Sequence, residues 1–505
     1  MAIFEANTLL WAPLLGVLSY AAVIAYRLCL HPLAAIPGPR LAAATSWYEF
    51  YYDVIGRGLF CWEIKRMHDR YGPIVRINPN EVHILDTSFY DEIYAPASKK
   101  RDKYAGFVVF LGVPTGSFAT CPHEHHRIRR RALNTSFSKQ AIYKIEGLIQ
   151  AKVDRLCRRL DDSAARDHVL RLDAAFFALA NDIIAEYTFG EGDDCLGRDD
   201  FGADFKGILM TSLETGALVR QFPCIVPLAY ALPRRILAGL SGAFTALLSW
   251  EAVVRRRVVA MAEAHRRGEP DVGTCVFSAL LRSDLPDEEK SFRRLLDEGK
   301  SLMGAGSETT SWTLTLLMWY VARDRRVLGR LRRELRDMPR GNRPGGRLRW
   351  LETRPYLNAV IMEALRLNHG NVGRSPRVAA ETVYYKNHAI PPGTPMSSTN
   401  YWIHMDETIF PNPATFSPER WLDADMAGFP LQRYMVSFSR GSRQCVGQNL
   451  ATAELCLAVA AVVTRFDVDF VDTTAEDILP ARDCFVPRPV SHSRGVFARL
   501  LRVQE

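Results

Sequence analysis

Close cysteine pairs are missing from this sequence. Its ten cysteines stand at positions 29, 61, 121, 157, 195, 224, 275, 445, 456 and 484, and no two are spaced like a zinc clip or a redox dithiol. With 48% apolar residues over 505 positions the core is large enough to need no disulfide staples. The thiols therefore read as reduced, mostly buried and facing a reducing compartment. An excess of one charge is also scarce, since Lys plus Arg exceed Asp plus Glu by only 64 − 56 = 8. No dense basic stripe interleaved with aromatics appears, which argues against nucleic acid as a partner. A basic patch meeting an acidic protein or an anionic membrane face stays open. Repeats, low-complexity tails and an interdomain linker are absent too. Length alone favours two or three domains, but no boundary is marked.

What is present begins at the N-terminus. Residues 9–26, LLWAPLLGVLSYAAVIAY, are uncharged and end at Arg27. About 20 helical residues span a hydrocarbon core, so the run is just long enough for a transmembrane helix. A cleaved signal peptide is disfavoured because a basic n-region and a small-residue cleavage site are lacking. An ordinary core helix is disfavoured by the uniformly apolar surface. Arg27, Arg40, Lys65 and Arg66 follow the run, which places the bulk of the chain on the cytosolic side. The prolines and glycine of HPLAAIPGPR, residues 31–40, then predict a stiff, extended spacer.

Farther on, PIVRI and EVHIL alternate around Asn78-Pro79-Asn80 as a hairpin, and a second hairpin is predicted at TVYYKNHAI. Residues 140–265 read as amphipathic helices, and 338–347 as a Gly-, Pro- and Arg-rich surface loop. The pattern is mainly α with small β-sheets, not an alternating doubly wound one.

The longest helical candidate runs from near Asp287 past Trp319. Its inward stripe includes Leu295, Leu302, Gly306, Thr309, Thr313 and Leu317. Within it lies GAGSETTS, residues 304–311, whose glycines each weaken a helix by about 1 kcal/mol. Two readings stand: a helix boundary capped by Ser307, or a local break that makes room for a ligand and lets a threonine hydroxyl meet a freed carbonyl.

Three further pieces are weak singly. Glu363 and Arg366 in EALR are a turn apart, a spacing that is usually a surface ion pair. FSPERW, residues 416–421, offers Arg420 in a turn-rich, aromatic loop. HHRIRRRALNTSFS, residues 125–138, concentrates four arginines on a helix. A fourth piece is strong: FSRGSRQCVG, residues 438–447, sets Cys445 between two glycines with Arg443 two residues before it.

In this order AGSETT, EALR, FSPERW and FSRGSRQCVG resemble the oxygen-binding helix, the Glu-x-x-Arg motif, the second-arginine loop and the cysteine signature of the cytochrome P450 superfamily of haem-thiolate monooxygenases. The likeness covers nearly the whole chain. YRLCLHPLAAIPGPRL, TSWYEFYYDV and DRYGPIVRINPNEVHI look like fungal members, particularly those similar to trichodiene oxygenase. The resemblance implies a cytochrome P450 fold: a membrane anchor over 1–30, a hinge over 31–40 and a catalytic domain over 41–505. It also implies haem b, with Cys445 as the axial thiolate ligand of the iron, pushing electron density through the metal to favour O–O cleavage.

Further roles follow from the same likeness. Gly441 and Gly447 let the loop curl so that amides face the sulfur, and Phe438 covers it. Arg443, Arg130, Arg377 and His126, where many relatives have tryptophan, face the haem propionates. Ala305 and Gly306 form the groove for dioxygen, Thr309 hydrogen-bonds it, and Glu308 relays protons. Glu363, Arg366 and Arg420 form a buried ion triad. Phe107 to Leu111 and Cys484 to Val486, with Ser301, Gly304 and Ala305, surround a lipophilic substrate, best read as a terpenoid or similar secondary metabolite.

The implied partners are an NADPH–cytochrome P450 reductase, docked on the basic helix, and cytochrome b5, with the anchor in the endoplasmic reticulum membrane. Two rivals remain: a haem-thiolate isomerase or dehydratase that needs no external electrons, and a haem-binding sensor without turnover.

Overall fold

The computed structural model describes residues 2–233, 242–269, 275–339 and 346–503, without the side chains of 2–12, 229–230 and 242–246. Most of the loop expected at 338–347 lies outside these residues. The chain is mainly helical with small sheets, as the periodicity predicts.

Helix α1 (Ala2–Cys29) occupies the apolar N-terminal run, and α2 (Arg40–Ala44) follows. Among the described residues no helix is long and apolar enough to cross a membrane. The end of α1 lies on the body: Tyr20 donates to Thr45 Oγ1 at 3.0 Å and Arg27 to the Ala44 carbonyl at 2.8 Å. Residues 31–40 are not the extended spacer expected from their prolines. They form consecutive turns that bury Leu33 and Ile36 in an apolar cluster. A Cβ on Gly38 would meet the Arg76 carbonyl oxygen at 2.6 Å, so the segment is pressed against the first sheet.

The basic helix is α3 (His123–Ser136), and α4 (Glu146–Ala165) packs beside the core. At the centre lies α5 (Leu172–Phe189), in which every residue but Glu186 is buried, as expected of a helix apolar all round. Next come α6 (Ala203–Glu214) and the short α7 (Gly216–Gln221). The 32-residue α8 (Phe292–Arg323) traverses the molecule for about 48 Å. It packs on α5, on α9 (Pro355–Asn368) and on α10 (Gln448–Val463).

Helix α8 runs unbroken through residues 304–311, so neither the boundary nor the local break read from GAGSETTS is present. Packing overrides propensity here. Gly306 lies against α5, where an added Cβ would meet Ile184 Cγ1 at 2.6 Å. The hydroxyls of Ser307, Thr309 and Thr313 return to the carbonyls four residues back, at 2.8, 2.9 and 2.8 Å.

Strands are short. The hairpin at Asn78 is β1 (Ile74–Arg76) with β2 (Val82–Ile84), its turn held by Asn78 Oδ1, which accepts from the Asn80 and Glu81 amides. β3 (Asp102–Lys103), β4 (Leu170–Arg171) and β5 (Arg377–Val378) come next. The second hairpin is β6 (Val383–Tyr385) with β7 (His388–Ile390), followed by β8 (Pro395–Ser397). β9 (Phe466–Phe470), the hairpin β10 (Arg482–Cys484) with β11 (Val486–Arg488), and β12 (Phe497–Arg502) complete the set. The main sheet has the order β1-β2-β8-β5-β3, with β2 and β8 parallel, and a second sheet has the order β4-β12-β9. In the β3–β5 ladder Lys103 pairs with Arg377.

Candidate active site

The cysteine loop is shaped by one glycine. Gly441 has φ +71°, and a Cβ there would meet the Ala95 carbonyl oxygen at 2.1 Å, so only glycine lets the loop press on residues 94–95. Gly447 differs from the sequence reading: its φ of −83° is ordinary, and the loop's curvature does not depend on it. Its contribution is its amide, which with the Gln448 amide at the start of α10 acts to lower the Cys445 thiol. The Cys445 amide donates to the Phe438 carbonyl at 2.9 Å, and the Phe438 ring packs against the main core.

Burial raises the Cys445 thiol, against which the two amides and the Arg130 charge act. Yet this cysteine has open surface, unlike Cys456 within α10, which is fully buried. Its thiol thus combines open surface with enough surrounding protein for burial to raise it. Helix α8 shows the same combination. Ala305 is exposed between half-buried Gly304 and Gly306, Thr309 is half-buried, and a Cβ on Gly304 would touch nothing within 4 Å among the described residues. The Thr309 hydroxyl donates to the Ala305 carbonyl at 2.9 Å. Gly306, packed on Ile184, does not share this open face.

A cluster of buried and half-buried cations has the Asp102 carboxylate acting on it only from beyond ion-pair distance. Arg377 and Arg443 are 4% and 7% exposed, Lys103 is 8%, and Arg130 is half-buried. Among the described residues no carboxylate lies within ion-pair distance of any of them. Burial lowers the Arg443 guanidinium to about 10, with Arg377 and Arg130 adding repulsion. Burial, then Arg377 and Arg443, pushes Lys103 well below its ordinary value. Burial, then Arg443 and Lys103, brings His126 to about 2, so it stands neutral and able to donate an N–H.

Backbone carbonyls take part of this donor capacity. Arg443 donates to Thr120 and Cys121, both at 2.6 Å, leaving Nε buried without a partner among the described residues. Arg377 donates to Ser375 and Pro376, and Arg130 to Gln444 and to Asn134. Buried cations that repel one another call for an anionic partner. The two propionates of haem, together with a thiolate-capable sulfur, fit that requirement. Lys103 went unread in the sequence because only the β3–β5 pairing brings it to Arg377.

Glu308 is 1% exposed, and burial raises its carboxyl. Among the described residues neither oxygen has a hydrogen-bond partner. Lys206 Nζ of α6 stands 3.8 Å away and an Arg488 nitrogen of β11 3.7 Å away. Lys206 itself donates to Asp173 Oδ2 at 2.7 Å. The carboxylate is thus held by long ionic contacts from two elements far apart in the chain.

Glu363 and Arg366 are fully buried and bidentate, at 2.8 and 2.9 Å. Arg420 Nε donates to Glu363 Oε1 at 3.0 Å, and the Ser417 amide and Trp421 Nε1 complete the acceptor's shell, each at 3.0 Å. Trp421 is a fourth member that the FSPERW motif carried unread. A buried carboxylate so fully satisfied is favourable where a half-satisfied one would not be.

Phe107, Val108, Phe110, Leu111 and Phe485 form one apolar cluster, with Phe110 and Phe485 5.5 Å apart. A cavity of about 200 Å³ includes Phe110, Cys484 and Phe485 in its lining, but neither Cys445 nor Thr309.

A profile of the cytochrome P450 family matches residues 50–492. Among curated proteins the chain is 39% identical to conidiogenone synthase PchP450 of Penicillium rubens, over 95% of this chain and 97% of that one. It is 40% identical to cytochrome P450 monooxygenase TRI4 of Fusarium sporotrichioides, over 90% and 87%. It is likewise 40% identical to tryptophan 6-hydroxylase fscE of Fusarium equiseti, over 96% and 95%. Among solved structures the fold matches a cytochrome P450, CYP102L1, with a TM-score of 0.69, 19% identity and coverage of 88% and 94%. The chain belongs to the cytochrome P450 family and is a haem b monooxygenase whose electrons come from NAD(P)H through a reductase.

Proposed function

We propose that the chain oxidises a lipophilic small molecule, a terpenoid or related fungal secondary metabolite, at a haem held by Cys445. The observation that carries the haem reading is the set of buried cations with no carboxylate at ion-pair distance among the described residues, beside a sulfur with open surface. Haem supplies the redox chemistry by which R–H, O₂, two electrons and two protons give R–OH and water. In this reading Cys445 Sγ ligates the iron while the Gly447 and Gln448 amides temper its charge, and Phe438 keeps water from it. Arg130, Arg377, Arg443, His126 and Lys103 hold the propionates. Ala305 and Gly304 leave room for dioxygen, the Thr309 hydroxyl hydrogen-bonds it, and Glu308 passes protons inward through water. Gly306 serves by letting α8 approach α5.

The substrate class rests on the aromatic cluster of Phe107, Phe110, Phe118 and Phe485. Relatives named for conidiogenone and for tryptophan show that a sequence this similar serves more than one scaffold, and the aromatic cluster favours the apolar one. The presence of both Glu308 and Thr309 favours oxygenation over isomerase or dehydratase chemistry.

Membrane attachment belongs to the same proposal, with α1 as a single anchor in the endoplasmic reticulum and the catalytic domain in the cytosol. Leu14, Leu15, Val17, Leu18 and Val23 on α1 are exposed, as are Leu41, Trp47, Tyr51 and Ile55, apolar surface suited to a bilayer. Exposed Arg127 and Arg131 on α3 suit an acidic NADPH–cytochrome P450 reductase and cytochrome b5.

The test is consumption of NADPH and O₂ by the haem-loaded chain with reductase and candidate terpenes. Substrate-dependent consumption with a hydroxylated product supports the proposal. Turnover without NADPH would mean an isomerase, and binding without turnover a sensor.

A further inference from the structure

Helix α9 is followed by two consecutive left-handed residues, His369 at φ +62° and Gly370 at φ +67°. A histidine in that conformation is uncommon, and His369 is fully buried, its amide donating to the Leu365 carbonyl at 3.0 Å. The double turn sets the chain against the segment that leads into the cysteine loop. A Cβ on Gly370 would collide with the Ser437 carbonyl oxygen, so glycine is needed for this approach. Ser437 Oγ in turn donates to the Leu365 carbonyl at 2.8 Å. The next residue, Phe438, is the one whose carbonyl accepts from the Cys445 amide.

The same helix end also meets α8. Asn368, the last residue of α9, is 2% exposed, and its Nδ2 donates to Thr313 Oγ1 at 2.7 Å. That hydroxyl donates onward to the Thr309 carbonyl at 2.8 Å. A hydroxyl has a single proton, so accepting from Asn368 leaves that proton committed to Thr309. Asn368 Oδ1, by contrast, is buried with no partner among the described residues. A buried amide with its carbonyl unpaired costs stability that a leucine of similar size would not. The part of Asn368 with a use is therefore its N–H.

We propose that Asn368 is a positioning residue for the oxidation, bracing the Thr309 turn of α8 against the loop that carries Cys445. The brace runs from the Thr309 carbonyl through the Thr313 hydroxyl to Asn368, along the chain to Gly370, and across to Ser437 and Phe438, which holds the Cys445 amide. A displacement of the α8 turn is thereby resisted by the cysteine loop. Asn368 acts through Thr313, and its effect on the reaction rests on the reading of Thr309 as the hydroxyl beside dioxygen.

Asn368→Leu and the milder Thr313→Val test this in the haem-loaded chain. Infrared spectra of the reduced, carbon monoxide-treated protein should show the C–O stretch shifted in both variants, because the Thr309 hydroxyl beside the bound gas has moved. The melting temperature of Asn368→Leu should not fall. With reductase and no added substrate, peroxide formed per NADPH should rise about 2- to 10-fold, the effect of one neutral hydrogen bond. The double variant should match Thr313→Val alone. An unmoved stretch in Asn368→Leu, with or without a fall in melting temperature, overturns the proposal. So do additive effects in the double variant, because Asn368 would then act by another route. If Thr309→Ala leaves the peroxide yield unchanged while Asn368→Leu still shifts the stretch, the reading of Thr309 fails and the brace stands.

Discussion

Lys103 and Arg377 stand directly opposite each other in the β3–β5 ladder, both buried and neither paired with a carboxylate among the described residues. Like charges in such a pair destabilise a sheet. The repulsion is relieved if a haem propionate sits between them. Lys103→Met should therefore raise the melting temperature of the chain stripped of haem while speeding haem loss to a scavenger protein. Differential scanning calorimetry and a haem-transfer assay read the two effects, and unchanged haem retention would remove Lys103 from the propionate site.

Glu363 accepts from Arg366, Arg420, Trp421 and the Ser417 amide at once. Glu363→Gln leaves the buried Arg366 and the half-buried Arg420 guanidinium groups without their counter-charge, a loss of about 3–5 kcal/mol. Urea denaturation should show that loss, together with a collapse in the yield of haem-loaded protein. A variant of near wild-type stability would mean that the triad is held up by its surroundings.

Burial raises the Glu308 carboxyl, and Lys206 and Arg488 pull it back down. Lys206→Met removes part of that opposition, so the carboxyl rises further. If Glu308 passes protons as a carboxylate, the acid limb of the pH–rate profile should move to higher pH. Thr309→Ala should divert reducing equivalents into hydrogen peroxide, measured as peroxide formed per NADPH consumed. Unchanged coupling would mean that the hydroxyl serves only its bond to Ala305.

Glu289 ties α3 to the segment before α8. Burial would raise its carboxyl, but hydrogen bonds from Arg129 and His125 outweigh that and bring it to about 2. A carboxyl depressed in the folded state stabilises above its ordinary value of 4.5, and that contribution is lost as the pH falls toward 2. Acid titration of stability should therefore steepen between these limits in the wild type and flatten in Glu289→Gln. Equal slopes would contradict the ionic tie.

Much of the site was legible because its signals are local in sequence. Cys445, Arg443 and the glycine at 441 sit within one loop, and Glu363 and Arg366 within one helical turn. The rest depends on contacts between distant segments. Lys103 meets Arg377 through a strand pairing, Glu308 meets Lys206 and Arg488 through tertiary packing, and Asp53 meets Arg220 across the cavity. Local propensity misled twice. The glycines of 304–311 sit in an intact helix because α5 packs against Gly306, and the prolines of 31–40 form packed turns because Leu33 and Ile36 have a core to enter.

One spectrum tests the thiolate assignment most directly: the absorbance of the reduced, carbon monoxide-treated chain. The wild type and Cys456→Ala should show the long-wavelength Soret band of a thiolate-ligated haem, and Cys445→Ala should lose it. Survival of that band in Cys445→Ala would contradict the assignment of this sulfur to the iron.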